Sequence, residues 1–194
     1  MDANKRLKTV GYTDQHLGFV EEFCQQCKLA GYKNNESIDA MKLDWCLSQG
    51  GQFFLTYLDD RIISLSGCHP LPQVSNNVYR ILFRGATLPE YQNLTGTMSK
   101  THMNSIPFFY HVPRQISWGK QVNHDTFVVT TNYQNSEIKS MSKSHRVFYG
   151  LAKQDIVSQL VERLNLFNTE QSVWQINEDK YFKHRSEYAL RQGL

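Results

Sequence analysis

The chain has 194 residues, 40% of them hydrophobic and 12% aromatic, which suits one globular domain spanning 1–194 with a core of its own. Lysine and arginine number 21 against 18 acidic residues; a net charge of +3, spread along the chain, argues against a nucleic-acid partner. The first residues, "MDANKRLKTVGYTDQ", lack the apolar centre of a secretory signal, and no apolar run reaches membrane-spanning length, so the expectation is a cytoplasmic chain with no membrane partner.

In chain order, "TDQHLGFVEEFCQQCKLAGY" opens on a Thr/Asp cap signal. It spaces Leu17, Val20, Phe23, Cys24 and Cys27 as a helix face, with Gly31 as its stop. "FCQQC" has the Cys-x-x-Cys spacing of metal and redox sites. A zinc site would need two further ligands, and no second such pair follows, so the helical setting predicts free thiols packed as small apolar groups and no metal. "SIDAMKLDWCLSQGG" predicts a second helix that ends at Gly50-Gly51. Two β-rich runs flanking Asp59-Asp60 predict a hairpin, and "NVYRILFRGAT" a third strand.

The segment "MSKTHMNSIPFFYHVPRQISWGKQ" starts as a helix that Pro107 and Pro113 are expected to kink or end early. "TFVVTTN" predicts a short buried strand. "SEIKSMSKSHRVFYGLAKQ" predicts a helix stacking Ile138, Met141, His145, Phe148 and Leu151 or Ala152. "IVSQLVERLNLF" and "SVWQIN" predict two late strands before a polar helical tail over 178–194. A three-strand meander followed by strand, helix and strands predicts an α/β (α+β) domain, its mixed sheet covered by helices on both faces.

The third strand runs directly into "ATLPEYQNLTGT", Ala86 to Thr97: a strand, a loop rich in small residues, then the start of a helix. Such a junction either is an ordinary connection capped by Thr95 or Thr97, or offers bare backbone amides and a helix N-terminus to an anionic group. With "LPEY" intact and Gln92 following, this window resembles the acyl-CoA motif of the GCN5-related N-acetyltransferase (GNAT) superfamily, and the element order is similar to that fold from about Thr9 to Asn177. The chain departs from the pattern where Asn93, Thr95 and Thr97 stand in place of glycine or another small residue.

The resemblance implies a mostly antiparallel sheet of six to seven strands with a splayed central pair, and acetyl-CoA as co-substrate. It implies Ala86, Thr87 and Leu88 along the pantothenate arm, Gln92, Asn93, Leu94, Thr95, Gly96 and Thr97 around the pyrophosphate, and Asn132 at the mouth of the second splayed strand. Asn132 reads equally as a helix cap. The implied reaction is attack of a primary amine, on a small molecule or a protein, upon the thioester. Tyr149 is the candidate acid for the departing sulfur, with packing as its other reading. Glu90, His69 and His145 are the candidates for the base, and no motif selects one. A chain of this shape that no longer catalyses, and acts as a binding or scaffold module, is the other reading of the substituted motif. Association as a homodimer is open.

Overall fold

The computed structural model describes residues 7–92, 105–133 and 143–192. Strand β1 (Leu7–Gly11) was not foreseen. It is an edge strand with few apolar residues, held by antiparallel register to β2 (Gln52–Leu58) from Leu7↔Leu58 to Gly11↔Phe54. Helix α1 (Leu17–Leu29) follows a short 3-10 turn in which Thr13 and His16 cap each other. It buries Val20, Phe23, Cys24 and Cys27 at the predicted spacing, and both thiols are free.

The single helix expected next is two. Ser37 caps α2 (Ile38–Met41) by accepting the Ala40 amide at 3.0 Å, and Lys42, at φ 60°, turns the chain before α3 (Leu43–Ser48). The hairpin forms as expected, with β2 and β3 (Arg61–Pro70) joined at Asp59-Asp60, and β4 (Val78–Thr87) continues the meander. Pro107 and Pro113 do not end the helical run that follows. Pro107 opens a π-helical turn (Pro107–His111), and Pro113 lies in the first turn of α4 (Val112–Gln121), where a missing amide breaks no interior bond.

Strand β5 covers Thr126–Asn132, the predicted "TFVVTTN". Then come α5 (Lys143–Ala152), β6 (Val157–Leu166), β7 (Thr169–Ile176) and α6 (Glu178–Gln192). His145, Phe148 and Leu151 are buried on α5 as foreseen, whereas Ile138 and Met141 lie outside the described residues.

One seven-stranded sheet runs β1-β2-β3-β4-β5-β7-β6, and among the described residues β4–β5 is its only parallel pair. Helices α1, α2 and α3 cover one face, packing Phe23, Cys27, Met41 and Leu43 on Phe53, Leu65 and Phe83. The π turn, α4, α5 and α6 cover the other with Phe108, Ile116, Phe148, Leu151 and Tyr181 against Tyr79, Phe127 and Trp174. Each such side chain, fully buried, contributes about 1.5–3 kcal/mol, so the two layers hold the sheet from both sides. No helix among the described residues is long and apolar enough to cross a membrane.

Candidate functional site

The centre of the sheet is open. β4 and β5 pair only at Val78↔Thr126, Tyr79↔Phe127 and Arg80↔Val128. Beyond that point β4 continues to Thr87 beside β3, and β5 continues to Asn132 beside β7, from Val128↔Gln175 to Asn132↔Gln171. The inner edges of the two strands therefore part in a wedge with no strand between them among the described residues.

The wedge is built by irregularities in β4. Against β3 the register runs Leu65↔Ala86, Gly67↔Phe83 and His69↔Arg80, so β4 advances three residues for every two of its neighbour, twice over. Each step is a β-bulge, and each coincides with a left-handed residue: Leu82 at φ 57° and Arg84 at φ 50°. That conformation costs a leucine or an arginine on the order of 1–3 kcal/mol, so something must hold it.

Gln115 of α4 is part of the answer. Fully buried, it accepts the Leu82 amide at 2.9 Å through Oε1, while Nε2 donates to the Ser66 carbonyl at 3.2 Å, the Ser66 hydroxyl at 2.9 Å and the Gly67 carbonyl at 3.1 Å. The network continues through Ser66 Oγ to His111 Nδ1 (2.8 Å), from His111 Nε2 to Thr56 Oγ1 (2.7 Å), and on to Thr9 Oγ1 (2.8 Å). It thus crosses β1 to β4 beneath the π turn. Complete burial pushes the His111 pKa down to about 3, so the ring is neutral, with one nitrogen donating and the other accepting.

A cavity of about 230 Å³ occupies the wedge on the α4–α5 face. Leu82 and Gly85 line it from β4, Val129 and Thr131 from β5, Ser105, Pro107 and Phe108 from the π turn and the residues before it, and Ser144, Val147 and Phe148 from α5. The walls are mostly apolar, and the few polar groups are hydroxyls. Thr131 is already committed, accepting the Trp174 indole N–H at 2.9 Å. Among these lining residues none ionises near neutral pH.

The chain matches no family model and no curated protein sequence. Its structure is similar to several solved ones. An acetyltransferase of the GNAT family from Staphylococcus aureus Mu50 superposes with a TM-score of 0.53 at 15% identity, over 88% of this chain and 98% of that one. The yncA protein of Salmonella typhimurium, solved with its cofactor acetyl-CoA, gives 0.54 at 11% identity over 88% and 93%. An aminoglycoside 6'-N-acetyltransferase complexed with coenzyme A gives 0.55 at 7% identity over 87% and 94%. At such identities the likeness speaks for the backbone alone. The chain has the GNAT fold.

Within the GNAT fold the expected site residues fall into separate places. Ala86, 9% exposed, faces the α1–α3 layer, not the cavity. Its carbonyl accepts the Ser64 hydroxyl at 2.9 Å, and Thr87 Oγ1 lies 2.8 Å from Ser64 Oγ. Leu88 is buried and donates its amide to the Ile63 carbonyl at 3.0 Å. The Tyr32 hydroxyl donates to the Thr87 carbonyl at 3.1 Å, and the Gln92 amide group donates to Tyr32, which closes the end of β4 against the loop after α1. Asn93, Leu94, Thr95, Gly96 and Thr97 lie outside the described residues. Asn132 is exposed at the end of β5, in register with Gln171.

The acid and base candidates do not meet in the cavity. Tyr149 is 52% exposed with the Lys153 ammonium 5.2 Å from its ring, while its neighbours Val147 and Phe148 line the wedge. One helical residue is a rotation of about 100°, which is enough to separate the two faces. Glu90 sits on the surface, its carboxylate 3.4 Å from Arg61. His145 is buried between Tyr133 and Trp174. His69 is 2% exposed on the opposite face of the sheet, edge-on to Trp45 and Phe83, and burial pushes its pKa down to about 3. A base that weak holds a proton poorly. Leu82, Val129 and Thr131 are among the lining residues that sequence reasoning passed over. Ordinary strand residues carry no chemical signature, and only the strand pairing marks them.

Proposed function

We propose that this chain is an acetyl-CoA-dependent N-acyltransferase that moves an acetyl group to a primary amine on a small molecule or a protein. The observation that carries this reading is the β4–β5 wedge with its apolar cavity. Two strand edges that part, with no partner strand between them among the described residues, suit an extended amide-bearing arm that pairs as an added strand, and apolar walls suit the thioester end of the same molecule. Two of the similar structures hold acetyl-CoA and coenzyme A, in support of that class of co-substrate.

The co-substrate supplies an activated acyl carbon. The amine nitrogen forms its bond to that carbon as the carbon–sulfur bond breaks; the products are the N-acetylated amine and a free thiol. The chain's contribution is to hold the reactants in line and keep water from the thioester. The β4 edge beyond Arg80 is where backbone amides would stabilise the developing oxyanion. With no ionisable side chain among the lining residues, the amine's proton leaves through water, and the reactive form is the neutral amine.

The same lack favours a second reading, a binding or scaffold protein that retains the wedge without the chemistry. Isothermal titration with acetyl-CoA, followed by thiol release over a panel of amines, decides. Micromolar binding with thiol release supports the transferase, and binding without release across the panel supports the scaffold. No heat at high micromolar acetyl-CoA overturns both uses of the wedge.

A further inference from the structure

On the other face of the sheet, at the crotch where β4 and β5 part, lies a buried cation with no counter-charge. Arg80 is 8% exposed. Its Nη2 donates to Gln171 Oε1 at a long 3.3 Å, and its buried Nη1 has no hydrogen-bond partner. Directly across the register stands His69, whose Nδ1 lies 2.6 Å from the Pro70 carbonyl and whose buried Nε2 has no partner either. One bulge further along, the buried Nε of Arg84 is another such atom. Among the described residues neither arginine forms an ion pair with a carboxylate. An uncompensated buried guanidinium costs several kcal/mol, so proteins rarely keep one without a ligand or a partner.

The surroundings form a cage. The Arg80 guanidinium lies 5.0 Å from the Phe83 ring and 5.7 Å from that of Phe167, and Trp45 packs edge-on against His69, at 4.9 Å, and Phe167, at 5.4 Å. Phe167 is 47% exposed at the tip of the β6–β7 hairpin, and both tip residues are left-handed: Phe167 at φ 54° and Asn168 at φ 60°. Such a turn favours Asn or Gly, and a bulky aromatic there is strained. Gln171, the partner of Arg80, also ties this tip down, donating to the Leu166 carbonyl at 3.2 Å and the Thr169 hydroxyl at 3.0 Å. The strained tip is thus wired to the unpaired cation that it covers.

We propose that Arg80, with Phe167 as the wall, binds the carboxylate of the acceptor, so that the amine acetylated by this chain belongs to a molecule that also carries an acid group. The inference rests on the transferase reading and gives it a substrate class. A guanidinium with a free N–H suits a small planar carboxylate. Arg80 is the last residue of β4 paired with β5, so a carboxylate held there lies at the point where the wedge begins.

The test measures binding by titration to the intact chain, with and without saturating coenzyme A. The probes are ω-amino acids of increasing length, their carboxamides and inorganic phosphate. The expected result is a carboxylate that binds about tenfold or more tightly than its carboxamide, a preference lost in Arg80→Gln while coenzyme A binding is unchanged. Equal binding of acid and amide, a preference that survives Arg80→Gln, phosphate binding in place of carboxylate, or no probe binding at millimolar concentration overturns the assignment. Should Arg80→Gln fail to fold, the acid-against-amide comparison on the unaltered chain decides alone. Failure of coenzyme A to bind would remove the transferase reading, whereas the acid preference is read without it, so the two failures are distinguishable.

Discussion

The amide of Leu82 donates to the side-chain carbonyl of Gln115 at 2.9 Å, and that one bond links the left-handed bulge of β4 to a helix on the sheet's face. Gln115 also donates to Ser66 and Gly67, so a single side chain satisfies the backbone groups that the bulge takes out of the ladder. Gln115→Leu keeps the volume but strands those groups. It is expected to cost about 2–4 kcal/mol in urea unfolding and to weaken acetyl-CoA binding. An unchanged unfolding midpoint would mean that the bulge holds itself.

Two buried histidines make stability depend on pH. His111 and His69 have pKa values pushed down to about 3 by burial, against about 6.5 when unfolded. The unfolded chain therefore binds more protons as pH falls through 6.5. The stability from keeping both rings neutral is complete above that pH and is lost progressively toward pH 3. Each ring is expected to cost about 2 kcal/mol at pH 5, before most carboxylates titrate. Urea denaturation at pH 7, 6 and 5 reads the slope, and a flat profile would contradict neutral burial of these two rings.

Filling the cavity tests its occupant. Val147 is half-buried and lines the wedge from α5. Val147→Phe places a ring in open space, so stability should stay within about 1–2 kcal/mol of the parent while acetyl-CoA affinity falls at least about tenfold. Undiminished affinity in calorimetry would move the co-substrate out of this cavity.

Tyr149 gives the opposite expectation. Its ring is exposed beside Lys153 and outside the cavity lining, so Tyr149→Phe should leave the rate of thiol release within about twofold. A loss of about a hundredfold or more would show that the hydroxyl reaches the leaving sulfur and would restore it as the acid.

Lys42 pays for the break between α2 and α3. It is exposed at φ 60°, a conformation that costs an L-residue about 1–2 kcal/mol and glycine nothing. After the extra chain entropy of glycine, Lys42→Gly is expected to add about 0.5–1 kcal/mol and raise Tm by about 1–4 °C. A lower Tm would show that the lysine side chain contributes more than the strain removes.

Sequence by itself determined the elements whose periodicity is local. Val20, Phe23, Cys24 and Cys27 declared one helix face, Asp59-Asp60 a hairpin, and "TFVVTTN" a strand with its bounds, because burial at i+3 and i+4, or at alternate residues, needs no knowledge of distant partners. β1 escaped, since its order comes from β2 and not from its own apolar content. The face of β4 was decided only in three dimensions. Simple alternation would put Arg80 and Phe83 on opposite sides, yet two bulges set Arg80, Phe83 and Ala86 in line, opposite His69, Gly67 and Leu65. Nothing near Arg80 in the chain announces the bulge or Gln115, which steadies it. His69, Arg80 and Phe167 meet because sheet register, not spacing, sets distance between strands, and register is a property of the whole fold.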